Sequence, residues 1–482
     1  VRTVGFSLYT KNIGKIDCPE LIGAIRDKLS VVNKNAVFSK SEYAAGRLYC
    51  ITPSGRFDVG LYKLIRHTID NMEVAVKYTF TEEFKNACMP RFNYYDEDLP
   101  TLGITPYDYQ ESTVRKMLKF GRGTVLIGTG GGKTFIMSLF TRMVKDHEPN
   151  HKILILVPTI QLVEQTYSDF IEYGFSDKDI SKWSGTNVKQ DTDIIVANVG
   201  ILQSKSSDLA FLKKIDVLMV DETHIVKKNN NINGIIDKII TPNRFGFTGT
   251  LPEDKIDQWN VFGKMGPILY EKNSDKLREG KFIADAKIDI VRVNYNMTDI
   301  AKLHRMMEES HLKYQTELEF MIESEYRNKL LAHAAKICRG NTLLMVDRII
   351  HGENLLEILE NITDKSIYFI QGAVGVDERE RIRDLMENNT DIICIAISKI
   401  FSTGINIKNI HNIIFATPGK AKVKLIQSIG RGLRLHVTKT ILRVIDFADN
   451  LHYSSRHLEK RKKLYDTEKL NYEIRTINQR DR

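Results

Sequence analysis

The run TVLIGTGGGKTF places Gly130, Gly131 and Gly132 directly before Lys133 and Thr134, after an apolar stretch. A buried strand that turns through a glycine loop into a helix aims successive backbone N–H groups and the helix N-terminus at one point, where a phosphate can sit. In that arrangement Lys133 neutralises the β and γ phosphates of a nucleotide, and the Thr134 hydroxyl is a ligand for Mg2+. Against the pattern GxxxxGK[ST] the first glycine is missing, because Ile127 stands there. A structural strand-to-helix turn is therefore the competing account. The following stretch FIMSLFTRMV carries the helical apolar pattern that the motif requires.

Magnesium needs more oxygen than one threonine supplies, usually from an acidic residue at the end of a neighbouring strand. The segment VLMVDETH offers it: an apolar strand ends at Asp221 and Glu222 follows at once. Asp221 is expected to hold the metal, and Glu222 to polarise the attacking water as a general base. Paired carboxylates of this kind also cap helices. After a phosphate loop, the catalytic account is the stronger.

The elements that must carry these residues are legible from apolar runs. From about residue 105 to 270 the stretches TVLIG, KILILVP, DIIVAN, VLMVDE and RFGFTGT alternate with helical patterns. Strands that are apolar throughout and alternate with helices form a parallel sheet covered on both faces. The alternation returns in NTLLMVD, SIYFIQG, DIICIAIS, NIIFATP and LRVIDFA. The expected fold class is α/β, with two tandem RecA-like parallel-sheet domains at 101–275 and 276–482, joined near EKNSDKLREGKFIADA. A small α+β domain is expected at 1–100, with a helix around PELIGAIRDKL and the acidic, aromatic RFNYYDEDLP as its linker. The end of the chain, including RHLEKRKKLYDTEKL, reads as a basic helix.

A chain of 482 residues that is 42% hydrophobic exceeds one core, and its net charge of +9 permits a polyanionic partner without requiring one. Five cysteines with no CxxC pair support neither a disulfide framework nor a zinc ribbon. No stretch of about 18 apolar residues and no signal-like N-terminus is present, so a cytoplasmic protein with no membrane partner is expected.

Taken in order, these motifs resemble those of superfamily 2 helicases and translocases, over roughly residues 104 to 450. Within the superfamily, FGFTGTLP, LLMVDRIIHGENL and FSTGINIKNIHNIIFATP are most similar to the bacteriophage UvsW-type fork-remodelling helicases and to type I and III restriction translocases. The resemblance implies ATP and Mg2+ as cofactors. It makes Gln110 of TPYDYQ the reader of adenine, and places Gly404 of FSTGINI beside the nucleotide. It gives His224, Thr248 and Thr250 the coupling of ATP state to nucleic-acid grip. Gln427, Arg431 and Arg434 of QSIGRGLR join the catalytic set. The two arginines, three apart, share a helix face and would stabilise charge on the transferring phosphoryl group. DETH in place of Asp-Glu-Ala-Asp argues against the DEAD-box RNA-remodelling branch.

The implied activity is an ATP-dependent DNA helicase or translocase that unwinds or branch-migrates forked and junction DNA. An RNA helicase, a duplex translocase that does not unwind, and a nucleic-acid-binding module with an inactive ATPase are the alternatives. A motor that steps over any sequence needs phosphate contacts more than base contacts. Thr159, Asn198 and Ser402 occupy the strand-end motifs suited to that grip, and KAKVK (420–424) and EKRKK (459–463) would add charge. By the UvsW-type analogy the N-terminal module binds duplex DNA, and its removal (residues 1–95) should keep some DNA-stimulated ATPase but lose the preference for branched substrates. A phage source would put the protein in the cytoplasm of a bacterial host.

Overall fold

The computed structural model describes residues 1–33, 46–184, 192–204, 210–372, 376–398, 407, 409–416 and 441–480. Ser402, Gly404, Gln427, Arg431, Arg434 and the 420–424 run lie outside these described residues. The chain divides into two compact units, one holding residues 1–128 and 132–273 and the other holding 129–131 and 274–482.

The first unit opens with β1 (Arg2–Leu8), β2 (Ile13–Asp17), α1 (Pro19–Lys28), β3 (Ser30–Val32), β4 (Arg47–Tyr49), β5 (Arg56–Asp58), α2 (Tyr62–Asp70), β6 (Val76–Phe80) and α3 (Glu82–Cys88). Its mixed sheet runs β5-β2-β1-β6. Alternation along β1 turns Val4 and Phe6 inward, and Phe6 sits among Phe57, Tyr62, Phe80 and Phe84. Proline at the first turn of α1 loses no helical hydrogen bond, and the Thr81 hydroxyl caps α3 by accepting from Phe84 N–H.

There follow α4 (Asp108–Phe120), β7 (Arg122–Ile127), α5 (Lys133–His147), β8 (Ile153–Val157), α6 (Ile160–Glu172), β9 (Ile180–Trp183), β10 (Ile194–Asn198) and α7 (Val199–Ser204). The unit closes with β11 (Val217–Val220), α8 (Ile232–Ile236), β12 (Arg244–Thr248), α9 (Lys255–Met265) and β13 (Ile268–Lys272). The seven strands are all parallel, in the order β13-β7-β12-β11-β8-β10-β9. Every residue of β7, β8, β10, β11 and β12 is buried, as the unbroken apolar runs require.

Two features of this unit differ from the expectation. RFNYYDEDLP does not hang free between domains: Phe92 packs on Phe140 at 5.6 Å, and Tyr94 stacks on His147 at 4.0 Å. Its aromatic residues cover apolar surface that would otherwise face water, which outweighs its acidic character. The N-terminal module also shares a core with the parallel-sheet domain, because Ile256 and Trp259 of α9 are buried among Phe57, Val59, Tyr62 and Phe84.

The second unit contains α10 (Ser274–Glu279), β14 (Asp285–Asn294), α11 (Met297–Glu309), α12 (Lys313–Glu323), α13 (Glu325–Ile337), β15 (Thr342–Val346), α14 (Ile349–Ile362), β16 (Ile367–Ile370) and α15 (Val376–Asn388). It continues with β17 (Ile393–Ile397), β18 (Asn412–Phe415), β19 (Ile441–Asp449), α16 (His452–Thr467) and β20 (Tyr472–Asn478). Its seven strands are again all parallel, in the order β16-β17-β15-β18-β19-β14-β20. The basic C-terminal helix is present as α16, but the chain then adds β20 to the sheet edge. Arg461 of the EKRKK run points inward, pairing with Asp446 at 2.8 and 3.0 Å, so that residue belongs to the core rather than to a cationic surface.

One buried histidine makes this unit sensitive to acid. His351 on α14 is fully buried and hydrogen-bonds Asn328 at 3.0 Å. Burial, with the Arg327 charge adding to it, lowers the imidazole from 6.5 to about 3. The unfolded chain then takes up the proton first, so this contribution to stability is complete above pH 6.5 and is lost as pH falls towards 3. At pH 5 the loss is about 2 kcal/mol. Urea midpoints at pH 7 and pH 5 should move apart more for wild type than for His351→Gln. Equal movement in both would remove the assignment.

Candidate active site

The glycine loop leads from β7 into α5. Gly130 and Gly132 adopt φ of +85° and +76°, the left-handed conformation a side chain would disfavour. A Cβ on Gly132 would also lie 2.4 Å from Gln110 Nε2, so the Gln110 side chain rests against the loop. Gln110 is held there by the Tyr107 N–H, which donates to its Oε1 at 3.0 Å. Lys133 and Thr134 form the first turn of α5, half-buried, and Gly131 is buried.

Asp221 and Glu222 follow β11, two strands away from β7 in the sheet with β12 between. Glu222 has φ +49° and ψ +48°, a costly conformation for a residue with a Cβ and one that persists only where its surroundings impose it. Two bonds do so. Glu222 N–H donates to Asp221 Oδ1 at 2.9 Å, and the buried Thr223 hydroxyl reaches both Val220 O at 2.7 Å and Phe247 O at 3.1 Å. Thr223 thereby ties the ends of β11 and β12 together. In the sequence its one signal is a hydroxyl within DETH where an apolar side chain would serve packing equally well.

The Thr223 link places His224 against the end of β12. His224 Nδ1 lies 3.3 Å from Glu222 Oε2 and 3.2 Å from Thr248 Oγ1. Thr248 in turn donates to Thr250 O at 2.8 Å. Glu222, His224, Thr248 and Thr250 therefore form one run of polar contacts from the strand-end carboxylate to the FTGT turn, hydrogen-bonded from His224 onward.

Burial and the adjacent Glu222 carboxylate push the Asp221 carboxyl up from 3.8 to about 6, against the pull of the Lys133 ammonium, the Glu222 N–H and His224. A buried carboxyl raised by its neighbour lacks positive charge, and Lys133 provides only one. Together with the Thr134 hydroxyl, this donor set suits a hard divalent cation with oxygen ligands.

Thr159 lies two residues beyond β8 and Asn198 ends β10, and these strands run side by side with Val157 opposite Asn198. Thr159 caps α6, its hydroxyl accepting from Leu162 N–H at 3.2 Å, and Asn198 Oδ1 accepts from Gly200 N–H at 2.9 Å. Both side chains already have a local structural role at the carboxyl edge of the sheet. The residues named from the second half of the catalytic set, Gln427, Arg431 and Arg434, and with them Ser402 and Gly404, fall outside the described residues.

A glycine loop and paired strand-end carboxylates on one parallel sheet, followed by a second parallel sheet, define a nucleic-acid-dependent ATPase of the helicase type. Residues 103–253 match the family model of the type III restriction enzyme res subunit, and residues 326–436 match that of the helicase conserved C-terminal domain. The chain thus carries the two domains found in superfamily 2 helicases and translocases, a family that uses ATP.

Among its relatives is the ATP-dependent DNA helicase uvsW of Enterobacteria phage T4. It is 29% identical over 401 residues, covering 78% of this chain and 78% of that protein. The DNA 3'-5' translocase XPB2 of Sulfurisphaera tokodaii is 24% identical over 357 residues, covering 68% of this chain and 78% of that protein. The solved structure of the ATP-dependent Type ISP restriction-modification enzyme LlaBIII bound to DNA shares the fold, with a TM-score of 0.57 at 15% identity over 86% of this chain and 34% of that one. Among the described residues no helix is long and apolar enough to cross a membrane.

Proposed function

We propose that this chain is an ATP-driven DNA motor that unwinds or branch-migrates forked and junction DNA. The observation that carries the motor reading is the run of polar contacts from Glu222 through His224 to Thr248 and Thr250. It connects the carboxylate suited to activating water with the turn whose position the family resemblance ties to nucleic-acid grip. The choice of DNA is supported by the T4 relative, named as a DNA helicase. The choice of forks and junctions rests on the UvsW-type resemblance of the motifs.

In this reading the backbone N–H groups of Gly130, Gly131 and Gly132 cradle the phosphates and Lys133 neutralises them. Gln110, already against the loop, meets the adenine. Thr134 and Asp221 hold Mg2+, which when bound offsets the charge of the phosphate oxygens. Glu222 accepts the proton of the attacking water. Arg431 and Arg434 from the second domain complete the site with Gln427 and Gly404, so that hydrolysis in the cleft between the domains follows their closure. Thr159, Asn198 and Ser402 contact the DNA backbone.

ATP turnover should be measured without nucleic acid and with single-stranded DNA, duplex DNA, a four-way junction and single-stranded RNA, using Lys133→Ala as the blank. Stimulation by DNA, greatest with the junction, is expected, at least about tenfold over the blank. Stimulation chiefly by RNA would overturn the substrate class. The res-subunit match favours one second reading, a duplex translocase that does not separate strands. Duplex-stimulated turnover without strand release would select it.

A further inference from the structure

Outside the ATP site, the second unit presents a group of rings on its surface. Tyr314 of α12 meets Tyr453 of α16 edge to face at 5.5 Å and His457 at 5.5 Å, and His452 stands on Tyr453 at 4.9 Å. Core aromatic clusters are buried, whereas here Tyr314 is 43% exposed and His452 is exposed. Leu312, two residues before Tyr314, is 70% exposed.

The cluster is held firmly from below. The buried Glu317 carboxylate, one turn along α12 from Tyr314, accepts from Tyr453 N–H at 3.0 Å and from Ser454 N–H at 2.7 Å. The Ser454 hydroxyl accepts from Asp449 N–H at 3.1 Å, and Asp449 pairs with the buried Arg327 at 2.7 Å. These bonds fix the start of α16, and so the rings, to the carboxyl end of β19. A rigid aromatic surface loses little entropy when something stacks on it.

Its surroundings select the occupant. Arg348, which follows β15 at the same end of the sheet, is exposed and acts electrostatically on the Tyr314 hydroxyl, against the larger and opposite influence of Asp347 and Glu317. Ile349 and Ile350, next in the chain, are 47% and 56% exposed. Exposed Arg456 lies one turn from His452 on α16, and exposed Lys313 adjoins Tyr314. Ring faces with cations around them suit a single strand: the bases stack while the backbone meets positive charge.

We propose that Tyr314, supported by Tyr453, His452 and His457, is a stacking platform for the unpaired nucleobases of a DNA strand. The proposal rests on the DNA-motor reading and adds to it the place where a separated base is held.

The test compares wild type, Tyr314→Ala and Tyr314→Phe, because Tyr314 is exposed enough to be changed without disturbing the core. Binding is followed on a single-stranded oligonucleotide carrying one 2-aminopurine, and ATP turnover is measured on plain duplex. Tyr314→Ala should bind the oligonucleotide about tenfold more weakly and lose the fluorescence change on binding. Tyr314→Phe, which keeps the ring, should match wild type, and duplex-stimulated turnover should stay within about twofold in all three. Unchanged binding and fluorescence in Tyr314→Ala would overturn the platform and leave the patch to a protein partner. No fluorescence change in wild type, or an equal fall in duplex-stimulated turnover, would also overturn it. Failure of the motor reading shows separately, as wild-type turnover that DNA does not stimulate.

Discussion

Glu222→Gln is expected to lower kcat for ATP by about a hundredfold or more at saturating DNA, with nucleotide affinity changed by less than about fivefold. The amide keeps the size of the side chain, but it cannot take a proton from water. The left-handed backbone at Glu222 is imposed by Thr223 and by the bond to Asp221, neither of which involves the Glu222 carboxylate. The substitution should therefore leave the fold intact. Steady-state turnover and fluorescent-nucleotide binding, measured on the same preparation, separate the two parameters. Turnover within tenfold of wild type would move the general base to another residue. A matching loss of nucleotide affinity would mean that the carboxylate serves binding rather than proton transfer.

The second large effect concerns the join between the N-terminal module and the first parallel-sheet domain. Lys264 of α9 is buried between two carboxylates, Asp58 at 2.8 Å and Asp237 at 2.7 Å. Although burial alone would lower it, the two carboxylates hold the ammonium pKa above its usual value of 10.5. Lys264→Ala leaves them without a counter-charge, at a cost of about 3–5 kcal/mol. The melting temperature of this unit should fall by about 10 °C, read by calorimetry. A fall under about 3 °C would show that water replaces the ammonium freely.

Gly60 offers an independent check on the same join. A Cβ there would stand 2.1 Å from Phe262 O, so the module and α9 touch backbone to backbone. Gly60→Ala should destabilise the unit without altering any charge. Deleting residues 1–95 would uncover Trp259 and Ile256 and remove the Asn12 side chain that pairs with buried Arg244 at 2.7 Å. The expected product is a first domain that does not fold, rather than one that keeps some DNA-stimulated ATPase. A soluble truncation melting at the wild-type temperature would reverse this conclusion.

The strands that carry chemistry were legible because each is apolar from end to end: TVLI, ILILV, IIVAN, VLMV and RFGFT all became buried parallel strands. The strands that escaped notice have weaker signals. ISKW and ILYEK mix charge with apolar residues, and YEIRTIN lies at a sheet edge with most of its residues exposed. Edge strands such as β20 bury less, so their composition is less constrained, while β14 went unnoticed although it pairs with both β19 and β20, because charged residues break its apolar run.

The identity and order of the motifs were determined by the amino-acid sequence alone, since a glycine loop, an acidic strand end and a Thr-x-Thr turn are local features whose chemistry resides in a few adjacent residues. Three things were decided only by tertiary structure. His224 joins Thr248 across 24 residues because β11 and β12 are neighbours in the sheet. Arg461, one basic residue in a basic run, turns inward because Asp446 waits on β19. Asp58 and Lys264, 206 residues apart, meet because two glycines let backbones approach. Each depends on which segments pack together, and the free energy of that packing belongs to the pair and is written in neither segment separately.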